Sequence, residues 1–167
     1  MNKNLMYKPM SGEEMLKYNP DSRLYKYPNI YKYKTIDDLF GRLDKIILLY
    51  LMDSLYSGHW VCLFRNKKLN SITFFDSYGL KPDEEEKYAN KKIRDNTGEN
   101  YKYLFYLLAK SNYKIYINPY KLQGPGTYTC GRFCSLRLME KDLNNKQFYN
   151  KYFSSGNPDK IICEIIK

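Results

Sequence analysis

The sequence predicts an α+β fold in which helices surround a small β-sheet. Short apolar or alternating segments typical of strands lie between segments with helical periodicity. The chain of 167 residues is long enough to bury one sizeable core, and it shows no internal repeat and no linker. We therefore expect a single domain over 1–167, divided into an N-terminal arm with a short helix (1–44), a core (45–143) and C-terminal helices (144–167).

The first forty residues look irregular apart from one short helix. Residues 25–34, YKYPNIYKYK, alternate Tyr with Lys around a proline, which fits either an edge strand or an extended arm. Residues 35–41, TIDDLFG, predict a short helix because Thr35 can cap it, Asp38 follows three residues later, and Gly41 can end it.

Four segments predict strands. The continuous apolar run at 45–52 suits a strand that is buried on both faces. Residues 59–65 and 71–76 are separated by the polar turn NKKLN (66–70), so they predict a β-hairpin. Residues 113–118 alternate in polarity and end before a proline, as a further strand would.

Five segments predict helices in the second half of the chain. The charged stretch 81–96 begins as a solvated helix, and 99–112 has a broad apolar face. Residues 130–143 are apolar nearly all round, which is typical of a helix in the middle of a core. Residues 144–153 and 157–167 complete the prediction with two shorter helices.

The net charge of +10 favours polyanionic partners, including nucleic acid. However, the 28 Lys and Arg residues are scattered rather than gathered into one block. Joint enrichment in Lys, Asn, Ile and Tyr is also what an AT-rich coding sequence would produce. A nucleic-acid partner and a compositional bias are therefore both open at this point.

Cysteine and histidine usage predicts reduced thiols and no metal or other cofactor. The chain has no Cys-x-x-Cys pair, Cys130 and Cys134 are spaced along one helix face, and the single histidine, His59, is distant in sequence. The N-terminus lacks the apolar region of a signal peptide, and the longest apolar run, 46–52, is too short to span a bilayer. We expect a soluble protein that makes no membrane contact.

His59 and Asp76 stand at matching ends of the predicted hairpin. His59 begins the first strand and Asp76 ends the second, seven residues before the turn and six residues after it. We therefore expect their side chains to be neighbours at one end of the sheet. An Asp beside a His fixes the tautomer of the imidazole and stabilises the imidazolium once a proton arrives.

Cys130 follows a Gly/Pro-rich loop and begins the apolar helix, so its sulfur is expected at a helix N-terminus. With an imidazolium partner, the pKa of such a thiol can fall to about 3.5–7.5. Gln123 and the Cys130 amide could then form a two-donor oxyanion hole, and Gly131 removes bulk where a substrate carbonyl would approach. Taken alone, each of these residues is more simply explained as a turn or core residue. Their combination with the only histidine of the chain favours a catalytic role.

These motifs resemble a known family. The segments GHWVCLF (58–64), ITFFDSYG (72–79) and QGPGTYTCGRFC (123–134) resemble the adenovirus-protease/Ulp1 group of cysteine peptidases, which have the chain order His, acid, Gln, Cys. The spacings of the motifs are most similar to the viral maturation proteases of that group, of the kind expected in virophages and giant viruses. An Asp at the acid position, as in Asp76, is instead typical of the Ulp1 side.

The resemblance implies a mixed sheet, a catalytic Cys at the N-terminus of a buried helix, and hydrolysis through a thioester. It implies that His59 is the general base, Asp76 its orienting acid, Cys130 the nucleophile and Gln123 an oxyanion donor, with Trp60 packed beside the site. Cleavage would follow small residues, often in Gly-Gly or Gly-x-Gly sequences. The expected substrates are viral structural precursors, cut by a monomer in the virion and host cytoplasm, with DNA as a stimulator that the charge would favour.

Three other functions are compatible with the sequence. The same chemistry could remove ubiquitin-like modifiers from host proteins. The order His, acid, Cys also occurs in acyltransferases, although no motif for an acyl donor is visible. A basic binding module without catalysis is the third alternative.

Overall fold

A computed structural model describes residues 3–52, 58–84 and 102–167. Five strands form one mixed sheet in the order β1-β2-β3-β4-β5. The β1–β2 and β4–β5 pairs are parallel, and the two pairs between them are antiparallel. The strands are β1 (Ser22–Lys26), β2 (Lys45–Leu51), β3 (Gly58–Asn66), β4 (Ser71–Phe75) and β5 (Lys114–Ile117).

Helices flank this sheet, which confirms the predicted α+β class. They are α1 (Gly12–Tyr18), α2 (Ile36–Phe40), α3 (Tyr103–Ala109), α4 (Cys130–Met139), α5 (Asn145–Tyr152) and α6 (Pro158–Ile165), with 3-10 helices at Lys3–Tyr7 and Tyr27–Lys32. The helix predicted over 81–96 lies, from residue 85 onward, outside the described residues. The helix predicted over 130–143 is shorter than expected, since it ends at Met139.

The sheet separates two hydrophobic clusters. Trp60, Cys62 and Phe64 of β3 pack in the cluster that contains α4. The alternate residues Val61 and Leu63 pack on the opposite face, in the cluster that contains apolar residues of α2 and α3. Side chains alternate between the faces of a strand, so a strand covered on both sides is apolar without a break. β2 shows the same pattern, because all its residues are buried.

The hairpin forms as predicted, but its observed register, continued to His59, places residue 78 rather than Asp76 opposite it, a shift of two residues. Strand β3 continues to Asn66, which pairs with Ser71, and this leaves a four-residue turn in which Asn70 has a φ of 49°. The side chain of Asn66 accepts a hydrogen bond from the Leu69 amide and stabilises this tighter turn. A shift of two residues keeps every side chain on its predicted face, because the period of a strand is two.

The N-terminal region is more regular than predicted, with a helix and an edge strand before the short helix expected at 35–41. Helix α1 begins at a capping box in which Ser11 accepts from the Glu14 amide and Glu14 accepts from the Ser11 amide. Strand β1 then pairs in parallel with β2 at one edge of the sheet. Only the first two residues of the 25–34 segment belong to a strand, because the 3-10 helix Tyr27–Lys32, with its proline in the first turn, follows at once.

Candidate active site

Cys130 is the first residue of α4, the helix that packs across β3. Every residue of this helix from 130 to 138 is buried, as its apolar sequence predicted. The first amides of a helix lack intrahelical acceptors and carry the positive end of the helix dipole, so they favour negative charge beside Cys130. The backbone amide of Trp60 also lies 3.5 Å from its Sγ and can donate to it. The sulfur therefore lies at the helix N-terminus and within reach of a backbone N–H donor.

His59 and Asp76 meet at the end of the hairpin. The Nε2 atom of His59 lies 2.8 Å from Oδ1 of Asp76, and both side chains are buried. The same Oδ1 accepts a hydrogen bond of 2.8 Å from the Tyr78 amide, which holds the carboxylate in place. Because a carboxylate accepts, it favours the tautomer with hydrogen on Nε2 and leaves Nδ1 as the ring nitrogen for a proton from the thiol.

The electrostatics of the site favour a charged imidazole. Burial by itself would lower the pKa of His59. The negative charge and hydrogen bond of Asp76, with a further hydrogen bond to Cys130, outweigh burial and raise that pKa well above its usual value of 6.5. An imidazolium of this kind is the partner that a reactive thiolate needs.

The side chain of Gln123 is held at both ends of its amide. Its Oε1 accepts from the Ser77 hydroxyl at 2.7 Å, and its Nε2 donates to the Thr127 carbonyl at 2.8 Å. Since an amide nitrogen carries two hydrogens, one is left for another acceptor. Gln123, Cys130 and His59 line one cavity of about 1650 Å³, so the structure brings the proposed oxyanion donor to the space beside the thiol.

Trp60 and Gly131 both lie beside the site. Gly131 faces the N-terminal segment, whereas the sequence predicted that it faces the substrate. Trp60 lines the cavity and donates from Nε1 to the Met10 carbonyl at 3.0 Å. A Cβ atom on Gly131 would approach Met10 Cβ to 3.0 Å, Met15 Sδ to 3.3 Å and Trp60 Cδ1 to 3.4 Å. The missing side chain thus allows α4 to pack tightly against the N-terminal segment, and Gly131 is absent from the described residues that line the cavity.

Several residues at the site are not predicted by the sequence. The Tyr78 ring stacks on His59 with centroids 4.6 Å apart and planes inclined by 19°. Ser77 orients Gln123, and Met10 belongs to a segment of the N-terminal region that forms one wall of the cavity. In the sequence, the capping box at Ser11 was the available signal for structure near Met10.

Cys130 is expected to react with iodoacetamide at neutral pH well before the other three cysteines. Burial raises the pKa of the Cys134 and Cys163 thiols, and Cys62 is fully buried. Cys130 lines the cavity and has His59 as a hydrogen-bonding partner. Mass spectrometry of peptides from a labelling time course measures the four rates, and equal slow labelling of all four would contradict an activated thiol.

The described residues contain neither a metal cluster nor a membrane span. No group of three or more His, Cys, Asp or Glu side chains within 3–52, 58–84 and 102–167 is placed to hold a metal ion. No helix in the same ranges is both long and apolar enough to cross a membrane.

The chain is similar to a virophage protein and to solved structures of a SUMO protease. No protein-family model matches it. It is 40% identical over 147 residues to the uncharacterized protein V9 of the Sputnik virophage, and the match covers 83% of this chain and 82% of V9. Among solved structures, SUMO protease Ulp1 with its catalytic cysteine oxidized to a sulfinic acid is 16% identical with a TM-score of 0.42, covering 99% of this chain and 85% of that one. The C-terminal Ulp1 protease domain in complex with Smt3, the yeast ortholog of SUMO, is 16% identical with a TM-score of 0.36, covering 92% and 71%.

Proposed function

The chain belongs to the family of the Sputnik virophage protein V9, and on that premise we propose that it is a cysteine endopeptidase that processes viral structural precursors during virion maturation. The observation that carries the proposal is the buried His59–Asp76 pair, 2.8 Å apart, with its hydrogen bond to Cys130 at the start of α4. A virophage relative supports the viral context.

In the proposed mechanism, His59 takes the proton from the Cys130 thiol, and the thiolate attacks the carbonyl carbon of the scissile peptide bond. The carbonyl oxygen becomes an oxyanion, which accepts from the Cys130 amide and from Nε2 of Gln123. Collapse of this intermediate breaks the C–N bond, and the imidazolium gives its proton to the leaving amine. A water molecule, deprotonated by His59, then hydrolyses the thioester and returns the thiol.

Asp76 has a defined part in this cycle. Its Oδ1 keeps the ring oriented through Nε2 while Nδ1 exchanges the proton, and its charge stabilises the imidazolium that forms twice in each turnover. The Tyr78 ring, stacked on the imidazole, limits rotation of the same ring. Asp76 and Tyr78 therefore orient the imidazole, and Asp76 also stabilises its positive charge. The covalent chemistry takes place at the sulfur.

The substrate class rests on the resemblance and on the viral relative. Cleavage after small residues, in Gly-Gly or Gly-x-Gly sequences, is the specificity that the resemblance implies. A nucleic-acid partner, and stimulation of the enzyme by DNA, are supported by the charge of +10 alone. The location in the virion and host cytoplasm, the monomeric state and the absence of a cofactor stay predictions from the sequence.

A panel of substrates tests the proposal and separates its alternatives. We expect the purified protein to cut precursors of viral structural proteins at sites that follow a small residue, as read by mass spectrometry of the new termini. Cleavage of ubiquitin-like precursors alone would instead favour a modifier-removing peptidase. Acetyl transfer to a protein without hydrolysis would favour the acyltransferase, and no reaction with any substrate would contradict an enzyme.

A further inference from the structure

A buried carboxylate from the C-terminal helix holds the loop that joins the two oxyanion donors. Asp159 lies in the first turn of α6 and is 4% exposed. The loop over 123–129 begins at Gln123 and leads directly into Cys130. We propose that Asp159 is a positioning residue that sets the distance and orientation between the two oxyanion donors. This inference rests on the proposed peptidase function.

The contacts of Asp159 reach both ends of the loop. Its Oδ2 accepts a hydrogen bond of 2.8 Å from the Gly124 amide, and its Oδ1 accepts one of 2.5 Å from the Thr129 hydroxyl. The Thr127 hydroxyl lies 3.2 Å from the same Oδ1. One carboxylate thus ties together three residues of a loop that is distant from it in sequence. Hydrogen bonds to an ionised carboxylate are stronger than those between neutral groups.

Each of the three residues is next to an oxyanion donor or bonded to one. Gly124 follows Gln123, and Thr129 precedes Cys130. The carbonyl of Thr127 accepts the hydrogen bond from Nε2 of Gln123. A shift of the carboxylate would therefore move both donors relative to each other, and oxyanion stabilisation depends on donors fixed at hydrogen-bonding distance before the charge develops.

Capping of its own helix does not explain Asp159. The N-cap of α6 is Asn157, whose Oδ1 accepts from the Lys160 amide at 3.2 Å. Within the described part of the chain, the hydrogen bonds found for the Asp159 carboxylate all come from the loop. Burial of a carboxylate is costly unless it is well hydrogen-bonded, so the Gly124 amide and the Thr129 hydroxyl are what make its position favourable.

The loop sequence is fitted to this carboxylate. A Cβ atom on Gly124 would lie 3.0 Å from Oδ2 of Asp159, a tight contact at which the carboxylate would have to give by a few tenths of an ångström. Glycine at this position thus allows the backbone to approach the carboxylate closely enough for its amide to donate. The Gly that follows Gln123 in the QGP motif is explained by Asp159 rather than by the turn alone.

The variant Asp159→Asn tests the proposal, with Asp142→Asn, an exposed aspartate, as the matched control. The assay uses a fluorogenic peptide with Gly-Gly before the leaving group. We expect kcat of Asp159→Asn to fall by about 10- to 100-fold with little change in KM, because misplacing two donors should cost somewhat less than the 10²–10³-fold loss of a whole donor. The rate of Cys130 alkylation by iodoacetamide should not change, because alkylation forms no oxyanion.

Thr129→Val provides a second variant that keeps the carboxylate and the side-chain shape. It removes only the hydroxyl that donates to Asp159, so it should give a smaller loss of kcat with unchanged alkylation. If Thr129→Val and Asp159→Asn, both checked by thermal unfolding, hydrolyse the peptide as fast as Asp142→Asn, the positioning role is wrong. If alkylation falls in parallel with kcat, Asp159 supports the fold and not the oxyanion hole. Absence of hydrolysis in the unsubstituted protein would instead count against the peptidase function itself.

Discussion

Replacement of Cys130 by alanine is expected to abolish peptide hydrolysis. In the proposed mechanism no thioester forms without the sulfur, and loss of a nucleophile of this kind lowers kcat by about 10⁶-fold in a well-studied serine protease. Folding should be little affected, since an alanine at the first position of α4 keeps the helix and removes only one sulfur atom. Hydrolysis of the Gly-Gly peptide and thermal unfolding of the same preparation provide the two measurements.

Cys134→Ala is the matched control for this substitution. Cys134 lies one turn further along α4, is fully buried, and contacts the Trp60 carbonyl through its Sγ at 3.5 Å. It should therefore show at least as large a loss of thermal stability as Cys130→Ala while keeping its kcat. Full hydrolytic activity in Cys130→Ala would exclude Cys130 as the nucleophile and contradict the proposed cysteine-peptidase mechanism.

The strand pattern was predictable because it depends on local signals. The continuous apolar run of β2 and the polar turn after β3 are visible in any short window of sequence. The neighbourhood of His59 and Asp76 followed from the hairpin even though the register was off by two residues, because such a shift leaves the faces unchanged. Their distance of 2.8 Å agrees with the predicted neighbourhood.

The tertiary contacts that hold the site residues in place were not predictable in the same way. Asp159 looks like an ordinary first-turn acid of α6, and only the tertiary packing brings it to Gly124, 35 residues earlier. Met10 lies 50 residues from Trp60, whose indole donates to its carbonyl. In each of these contacts one partner is a backbone atom, which every residue type has, so the amino-acid pattern does not reveal where the other partner lies.

Gly131 has a packing role that the sequence did not reveal. Its place after Cys130 suggested space for a substrate, yet the structure fills that space with Met10, Met15 and Trp60. The sequence indicates that a small residue is needed there, but not which neighbour needs the room. The packing of a whole helix against an N-terminal segment decides that, and this segment had been interpreted as irregular.

Replacement of His59 by alanine is the second substitution expected to abolish hydrolysis, by about 10⁶-fold as for other residues that act as one unit with a nucleophile. The chain has a single histidine, so no second imidazole can take over the proton transfers. Iodoacetamide labelling of Cys130 should slow as well, which separates this variant from Asp159→Asn. The rate of peptide hydrolysis and the rate of Cys130 labelling, both measured on His59→Ala, test these two expectations.

The pH dependence of stability gives His59 a test that is independent of turnover. Asp76 and Cys130 raise the pKa of His59 in the folded protein above its value of 6.5 in an unfolded chain. A raised pKa means that the charged form stabilises the fold, fully so below pH 6.5, and that this contribution is lost as the pH rises through the folded-state value. The free energy of unfolding of the unsubstituted protein, minus that of His59→Ala, should therefore decrease from pH 6.5 upward. A difference that instead rose with pH up to about 6.5 and stayed constant above it would mean that His59 is buried as the neutral imidazole, and the Asp76 carboxylate would then orient the ring without stabilising its charge.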